Sequence, residues 1–365
     1  MTVIDTNEYL GNSTTRTLHR IELSELSKPI EDELVSNTPS LAETKKASII
    51  EPPVRQTETP KITLKDISVN YNDATVDNTS EILEKYGVVI VKDFMNNVQL
   101  DKIKSELDPI FDSKKNDPRL YPKETIRVTA SVSKSPAVVH EVLKNPLHVQ
   151  LSEKFLAKKN AFWIGNNLNI GSSPAIVSSS IAFRVGPGAS YQALHRDDHS
   201  EHNIIEHQDL YRYGSDTQLG VSVALSQVTK QNGGTRFIPG SHLWDHLRKP
   251  KEEECMTIEV DEGDGFFMLG SVFHGAGKNI TNDEFRTLLI LFMCAATSRQ
   301  KENIYLTTPI DYFKQFDTEE LKLLGLSMSE PFSGMLELQD ARAKLKPGFV
   351  RKSNYSDVCQ VSDVN

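Results

Sequence analysis

Between about residues 180 and 297 the chain is a series of short apolar runs cut apart by turn residues, and that rhythm leaves few folds open. The runs are Ser180–Val185, Thr217–Val228, Arg236–Ile238, Met256–Val260, Gly265–Leu269 and Arg286–Ala295. Between them stand Gly186-Pro187-Gly188, Asn232-Gly233-Gly234, Pro239-Gly240 and Glu262-Gly263-Asp264-Gly265, residue types that accept the dihedrals of chain reversal. Upstream the pattern is helical. Thr79–Lys85 reads as a short amphipathic helix, followed by a buried strand at Gly87–Val91. Asn97–Phe111 then places Val98, Leu100, Ile103, Leu107 and Ile110 near helical spacing, and Ser135–Phe155 looks helical again. Helices first and many short strands after predict a mainly β protein with flanking helices, its core an all-β barrel or jelly roll at about 180–297. Thr318–Lys346 returns to helical character.

The ends read differently from the middle. Met1 to about Pro60 is rich in Ser, Thr, Glu and Pro, and Pro29, Pro39, Pro52, Pro53 and Pro60 interrupt any long periodic pattern. Such a segment buries too little apolar surface to offset its ordering, so residues 1–60 are expected to be a disordered tail, with at most a short helix near Ile21–Leu26. A main domain at 61–300 and a helical extension at 301–365, serving as a lid or dimer element, complete the division. Tyr305, Leu306, Phe313, Phe316, Leu321, Leu323 and Leu324 suit a homodimer face, or equally a cap on the chain's own barrel. A net charge of -9 gives no electrostatic reason to expect nucleic acid. The longest apolar run, Thr287–Thr297, is too short to span a bilayer, so no membrane is expected. Met1–Leu10 has no apolar signal core, and Asp363-Val364-Asn365 is no peroxisomal or lipidation address. Cys255, Cys294 and Cys359 lie far apart without CxxC spacing, which fits a reducing, cytoplasmic setting.

Chemistry concentrates in Ala193-Leu194-His195-Arg196-Asp197-Asp198-His199. On a strand, residues i and i+2 share a face, so His195 and Asp197 can grip one ion together, while Asp198 points away. His274, after Phe266–Leu269 and a Gly-Asp-Gly turn, closes a 2-His-1-carboxylate triad, the set that holds Fe(II) and leaves coordination positions open. Arg286 opens the next strand twelve residues later, and its fork of donors suits the far carboxylate of a 2-oxo acid. Plainer readings stand beside these. His195 and His199 at helical spacing could bind zinc, and His199, His202 and His207 suit a solvated loop or pocket rim. Arg286 could pair with Asp283 or Glu284, and His242 could satisfy backbone groups in a turn. Arg127 fits a substrate or co-substrate contact or a surface role, and Trp163, Tyr191 and Phe273 fit a pocket wall or plain core.

The ordered set Gln192-x-x-His195-x-Asp197, Asn232-Gly233-Gly234-Thr235-x-x-Ile238-Pro239-Gly240-Ser241-His242, Gly263-Asp264, His274-x-x-x-x-Asn279 and Arg286 resembles the phytanoyl-CoA dioxygenase family. It is most similar to the fungal secondary-metabolism branch of those Fe(II)/2-oxoglutarate enzymes. The resemblance covers roughly Asp66–Ala296, with its specific motifs confined to Gln192–Arg286. It implies a double-stranded β-helix (jelly-roll, cupin-like) core, His195, Asp197 and His274 as iron ligands, and Arg286 as the clamp on the C5 carboxylate of 2-oxoglutarate. Gln192 and Thr235 occupy positions that contact the co-substrate in relatives. The implied activity is oxidation of an unactivated C–H bond of a small organic metabolite by O2, with release of succinate and CO2. The alternatives are an acyl-CoA 2-hydroxylase and a non-catalytic cupin-like metal-binding or interaction protein. Because Asp197 is present, a halogenase-type site is not expected, and the N-terminal tail is a departure the pattern does not explain.

Overall fold

The computed structural model describes residues 58–115, 123–337 and 339–350. The expected tail up to residue 57, its short helix at Ile21–Leu26, and Cys359 lie outside them. In chain order come β1 (Ser68–Asn70), α1 (Val76–Tyr86), β2 (Val88–Lys92), α2 (Asn97–Lys114), β3 (Thr125–Thr129) and α3 (Pro146–Leu156). Then follow β4 (Lys158–Ile164), β5 (Asn167–Ser173), β6 (Ala175–Val185), β7 (Gln218–Ala224), β8 (Thr235–Phe237), β9 (Met256–Thr257), β10 (Gly265–Leu269), β11 (His274–Ala276) and β12 (Arg286–Ala295). The chain continues through α4 (Ile304–Thr307), α5 (Ile310–Phe313), α6 (Thr318–Leu323), β13 (Met335–Leu336), β14 (Gln339–Asp340) and α7 (Arg342–Leu345).

Local chemistry explains the helix boundaries. The Thr75 hydroxyl accepts the Asn78 N–H at 3.2 Å to start α1, and Gly87, at φ 78°, ends it in the left-handed region. Gly87 thereby turns the chain directly into β2. The continuous helix expected over Ser135–Phe155 is split at Asn145-Pro146. Pro146 has no N–H to continue a preceding helix but suits a first helical position, and the Asn145 side chain caps α3 by accepting from Leu147 at 3.0 Å. What precedes it is a π-helical turn over Val138–Leu143. The strands missed by pattern are β1, β3, β4, β5, β11, β13 and β14. These are short, or, as in Asn167-Leu168-Asn169-Ile170-Gly171-Ser172-Ser173, lacking a strong apolar run.

The expected jelly-roll architecture is present: a mainly β core with flanking helices. Among the described residues the major sheet has seven strands in the order β1-β2-β10-β7-β12-β6-β3, antiparallel except for β1 with β2. The minor sheet runs β11-β8-β9. One face of the major sheet packs beneath α1 and α3, burying Leu219, Val221, Val223, Leu289, Leu291 and Met293. The other face meets the minor sheet across a cavity of about 580 Å³. The helices of the extension interrupt the expected helical stretch with the β13–β14 pair, and they bury Phe313, Phe316, Leu321, Leu323 and Leu324 in the chain's own core. No helix of the described residues is long and apolar enough to cross a membrane.

Register turns the cavity face into a grid. Arg286, Val185 and Thr125 stand in one row; Leu288, Phe183 and Arg127 in the next; Phe266, Ser222 and Ile290 in a third; Met268, Gly220 and Phe292 in a fourth. All twelve side chains or their glycine equivalents line the cavity. Phe267, the alternate residue on β10, points the other way, fully buried and edge-on to Phe94 at 5.5 Å. Truncating it as Phe267→Ala is expected to cost about 3–5 kcal/mol. Urea unfolding checks this, and a loss below about 1 kcal/mol would contradict the packing described.

Candidate metal centre

The site begins with backbone. The segment Gln192–His195 runs beside β11 as an irregular extra strand: Gln192 N–H donates to Ala276 O at 2.9 Å, and His195 and His274 exchange both backbone hydrogen bonds at 2.9 Å. This approach requires a residue without a side chain between His274 and Ala276, because a Cβ on Gly275 would lie 2.6 Å from the Gln192 carbonyl oxygen. His195 and His274 are thereby opposed across a bridge, with ring centroids 4.6 Å apart. Asp197 is reached differently from the strand expectation. After His195 the chain leaves the bridge and enters a 3-10 turn over Asp197–Glu201, so the carboxylate is aimed by a turn rather than by strand alternation. The reason is an anchor outside the strand geometry, where Asp197 N–H donates to Gly270 O at 2.9 Å.

The three side chains converge. Asp197 Oδ1 lies 3.6 Å from His195 Nε2, Oδ2 lies 3.5 Å from His274 Nε2, and one donor atom from each residue falls within a 4.8 Å cluster. Each imidazole is held from behind: His195 Nδ1 stands 2.9 Å from Ala193 O, and His274 Nδ1 3.0 Å from Val272 O. A carbonyl only accepts, so each Nδ1 carries the hydrogen and each Nε2 presents a lone pair toward Asp197. Burial works to raise the Asp197 carboxyl, but the facing His274 and His195 hold it below its ordinary range. Contact with Asp197 lifts His195, whereas burial pushes His274 down. Two neutral imidazole donors and one carboxylate, with no fourth acid, cysteine or histidine in the cluster among the described residues, fit a facially bound divalent iron better than a closed four-ligand zinc site.

Arg286 lies in the same cavity, 4% exposed, its guanidinium without a hydrogen bond or ion pair to any described residue. The alternative pairing with Asp283 or Glu284 does not form; Glu284 Oε2 instead lies near Asn232 Nδ2. Burial alone pushes the Arg286 guanidinium down to about 10, so it remains charged near neutrality. Gln192 and Thr235 line the cavity too, and Gln192 Nε2 sits 3.4 Å from His195 Nε2 while its Oε1 accepts from Ala276 N–H at 3.3 Å.

The remaining candidates separate cleanly. Asp198 faces away, accepting from Asn203 at 2.9 Å, and burial raises its carboxyl to about 6. His199 turns its ring to the Arg196 carbonyl and is outside the cluster, so the paired zinc arrangement with His195 is not present. His202 ends the 3-10 turn and His207 contacts Asp209 at 3.2 Å. His242 is a turn residue, its Nε2 donating to Glu84 O at 2.9 Å. Tyr191 and Arg127 line the cavity. Phe273 instead packs on the Arg196 guanidinium at 4.3 Å, and Trp163 projects from β4, 68% exposed. Sequence reasoning passed over Glu201, Gln218 and Lys301, which gather behind the Asp197 carbonyl; their separations along the chain carry no motif.

The model for phytanoyl-CoA dioxygenase (PhyH) matches residues 83–288, more than half the chain. The chain is 34% identical to the dioxygenase himG of Aspergillus japonicus, over 78% of this chain and 91% of that protein. It is 34% identical to the dioxygenase peniF of Penicillium patulum, over 72% of this chain and 86% of that protein. It is 33% identical to the uncharacterized protein YJR154W of Saccharomyces cerevisiae, over 77% and 84% respectively.

Two histidines away from the cluster generate a pH prediction. Burial pushes His148 and His242 down to about 4, so folding favours their neutral forms. The unfolded chain, with ordinary histidines near 6.5, binds more protons below that pH, so their stabilising contribution is complete above about pH 6.5 and is lost as pH falls toward 4. The melting temperature should decline across that window, and His242→Gln should flatten the decline. An unchanged slope in the variant would contradict the assignment.

Proposed function

The chain belongs to the phytanoyl-CoA dioxygenase family, and from that premise we propose that it is an Fe(II)- and 2-oxoglutarate-dependent dioxygenase with His195, Asp197 and His274 as metal ligands. Arg286 takes the C5 carboxylate of 2-oxoglutarate, with Gln192 and Thr235 contacting the same co-substrate. The observation that carries this reading is one cavity holding both a three-donor cluster and a buried guanidinium that no described residue neutralises. A buried cation without a partner is costly, and a dicarboxylate that reaches the cluster with its other end offsets that cost.

When bound, iron and 2-oxoglutarate supply the oxidising power by which O2 breaks an unactivated C–H bond, giving succinate and CO2. The chain's own residues do the arranging. Ala193 and Val272 carbonyls fix the two imidazole tautomers, and the Gly270 carbonyl fixes the turn that aims Asp197. Phe183, Leu288, Ile290, Phe266, Met268 and Phe292 keep the cavity apolar, which excludes water and suits a small organic metabolite of the kind made in secondary metabolism. Beyond the row of Arg286 and Thr125, Ser222 and Arg127 are polar points on that wall.

The catalytic domain is assigned to residues 61–300, and the extension beyond to a cap on it. A homodimer face on that stretch uses exposed apolar residues such as Tyr305, Leu306 and Ile310, because Phe313, Phe316, Leu321, Leu323 and Leu324 are already buried. Free Cys255 and Cys294 support a reducing, cytoplasmic setting.

An anaerobic titration with Fe(II) and 2-oxoglutarate tests the reading. The wild type should develop the weak visible charge-transfer band of a chelated 2-oxo acid, and His274→Ala should lose it. A metal-replete wild type without the band would overturn the proposal. Arg286→Met should weaken 2-oxoglutarate binding by about 10- to 100-fold, the loss of a charge-assisted hydrogen-bonded pair. The same variant should melt no lower than the wild type, because it removes a buried cation that lacks a partner. A large drop in melting temperature would mean that Arg286 has a structural partner instead.

A further inference from the structure

The residues behind Asp197 form a second construction that the family resemblance does not describe. The Asp197 carbonyl oxygen accepts from three side chains: Ser200 Oγ at 2.8 Å, Gln218 Nε2 at 3.1 Å and Lys301 Nζ at 3.3 Å. Glu201 completes the cluster, 3.3 Å from Lys301 Nζ, accepting from Thr217 Oγ1 at 3.1 Å and from Gln218. Gln218 is fully buried on β7, so its amide is a fixed point of the major sheet. Lys301 comes from the opposite direction. It follows β12, outside the residues matched by the family model.

A β-bulge explains how Lys301 reaches this place. Along the β12–β6 pairing the register moves from Phe292↔Ser179 to Met293↔Val177, leaving Ser178 out of the ladder. The freed Ser178 is used by the segment after β12, its hydroxyl accepting from Lys301 N–H at 3.4 Å and its carbonyl from Glu302 N–H at 3.0 Å. The Glu302 carboxylate then takes the Ala130 N–H at 2.6 Å and the Ser180 N–H at 2.8 Å. Gln300 binds Val177 O at 2.6 Å. Three consecutive residues are therefore tied to β6, and the middle one sends its ammonium to the back of the Asp197 turn.

We propose that Lys301 is a positioning residue of the metal centre: with Glu201 and Gln218 it holds the Asp197 turn so that the carboxylate faces both imidazoles. The proposal rests on the metal-centre reading above. Asp197 is the one ligand of the three delivered by a turn rather than by the His195–His274 bridge, so its aim depends on what holds that turn. Gly270 holds the N–H side and the Lys301 cluster holds the carbonyl side. Residues beyond Ala295 thus belong to the working part of the site as well as covering the barrel.

The test is Co(II) titration of the full chain, read by visible absorption of the bound ion, with thermal melting of the metal-free protein alongside. Lys301→Met should weaken Co(II) binding by about 10-fold, the lower end of the range for groups that orient metal ligands, and should alter the bound-ion spectrum. Lys301→Arg should restore affinity and spectrum, because a guanidinium can still span Glu201 and the carbonyl. Adding Glu201→Gln to Lys301→Met should weaken binding by less than it does alone, since the two act as one unit. A Lys301→Met protein that binds Co(II) as tightly as wild type, with the same spectrum, would overturn the inference and leave the metal centre standing. An affinity loss matched by a lower metal-free melting temperature, and not restored by Lys301→Arg, would also overturn it. A wild type that binds no Co(II) would overturn the metal centre itself.

Discussion

Two backbone hydrogen bonds between His195 and His274 organise this molecule's chemistry. They join a loop that begins after β6 to a short strand that begins after β10, and so bring residues 79 positions apart into one cluster. Strand pairing is a stiff way to set such a distance, because each residue is fixed by its neighbours along the ladder as well as by its own bond. Gly275 makes that pairing sterically possible. The imidazoles then need only a carbonyl each to choose their tautomer. What the bridge does not deliver is the carboxylate, and the fold solves that separately with an anchored turn.

The second organising feature is the register of the major sheet. Because β12 is central and pairs in register with β6 and β7, the alternation of side chains puts Arg286, Leu288, Ile290 and Phe292 on the cavity and Leu289, Leu291 and Met293 against the helices. One strand therefore serves as core and cavity wall at once. On the cavity face its first residue carries the charge and Leu288, Ile290 and Phe292 are apolar, so polarity changes along the strand axis. Under the function proposed, the dicarboxylate and an apolar substrate take different rows of one cavity.

Much of this was legible from residues alone, for identifiable reasons. The strands at Gly265–Leu269 and Arg286–Ala295 are long apolar runs bounded by turn residues, and both appear at the expected limits. The His-x-Asp pair, His274 and Arg286 carry ligand and anchor residue types at separations that a 2-His-1-carboxylate site with a carboxylate clamp requires, which made them legible. Strand alternation was the wrong reason for Asp197, since its backbone N–H is held by the distant Gly270 carbonyl and its carbonyl by the Lys301 ammonium, in a turn. The β4–β5 ribbon escaped notice because its pattern is inverted: Asn169 faces inward while Trp163, Leu168 and Ile170 face solvent. Lys301 was invisible because its role arises from a bulge, a property of two paired strands that neither sequence displays.

The placement of the aromatic indoles has one more consequence. The chain has two tryptophans, Trp163 at 68% exposure on the ribbon and Trp244 at 1%, stacked against the Arg248 guanidinium. Their emission should resolve into a solvent-quenched red component and a shielded component lying near a cation. The protein thus carries two intrinsic optical probes in separate neighbourhoods, and a collisional quencher can tell events at the ribbon from events in the interior.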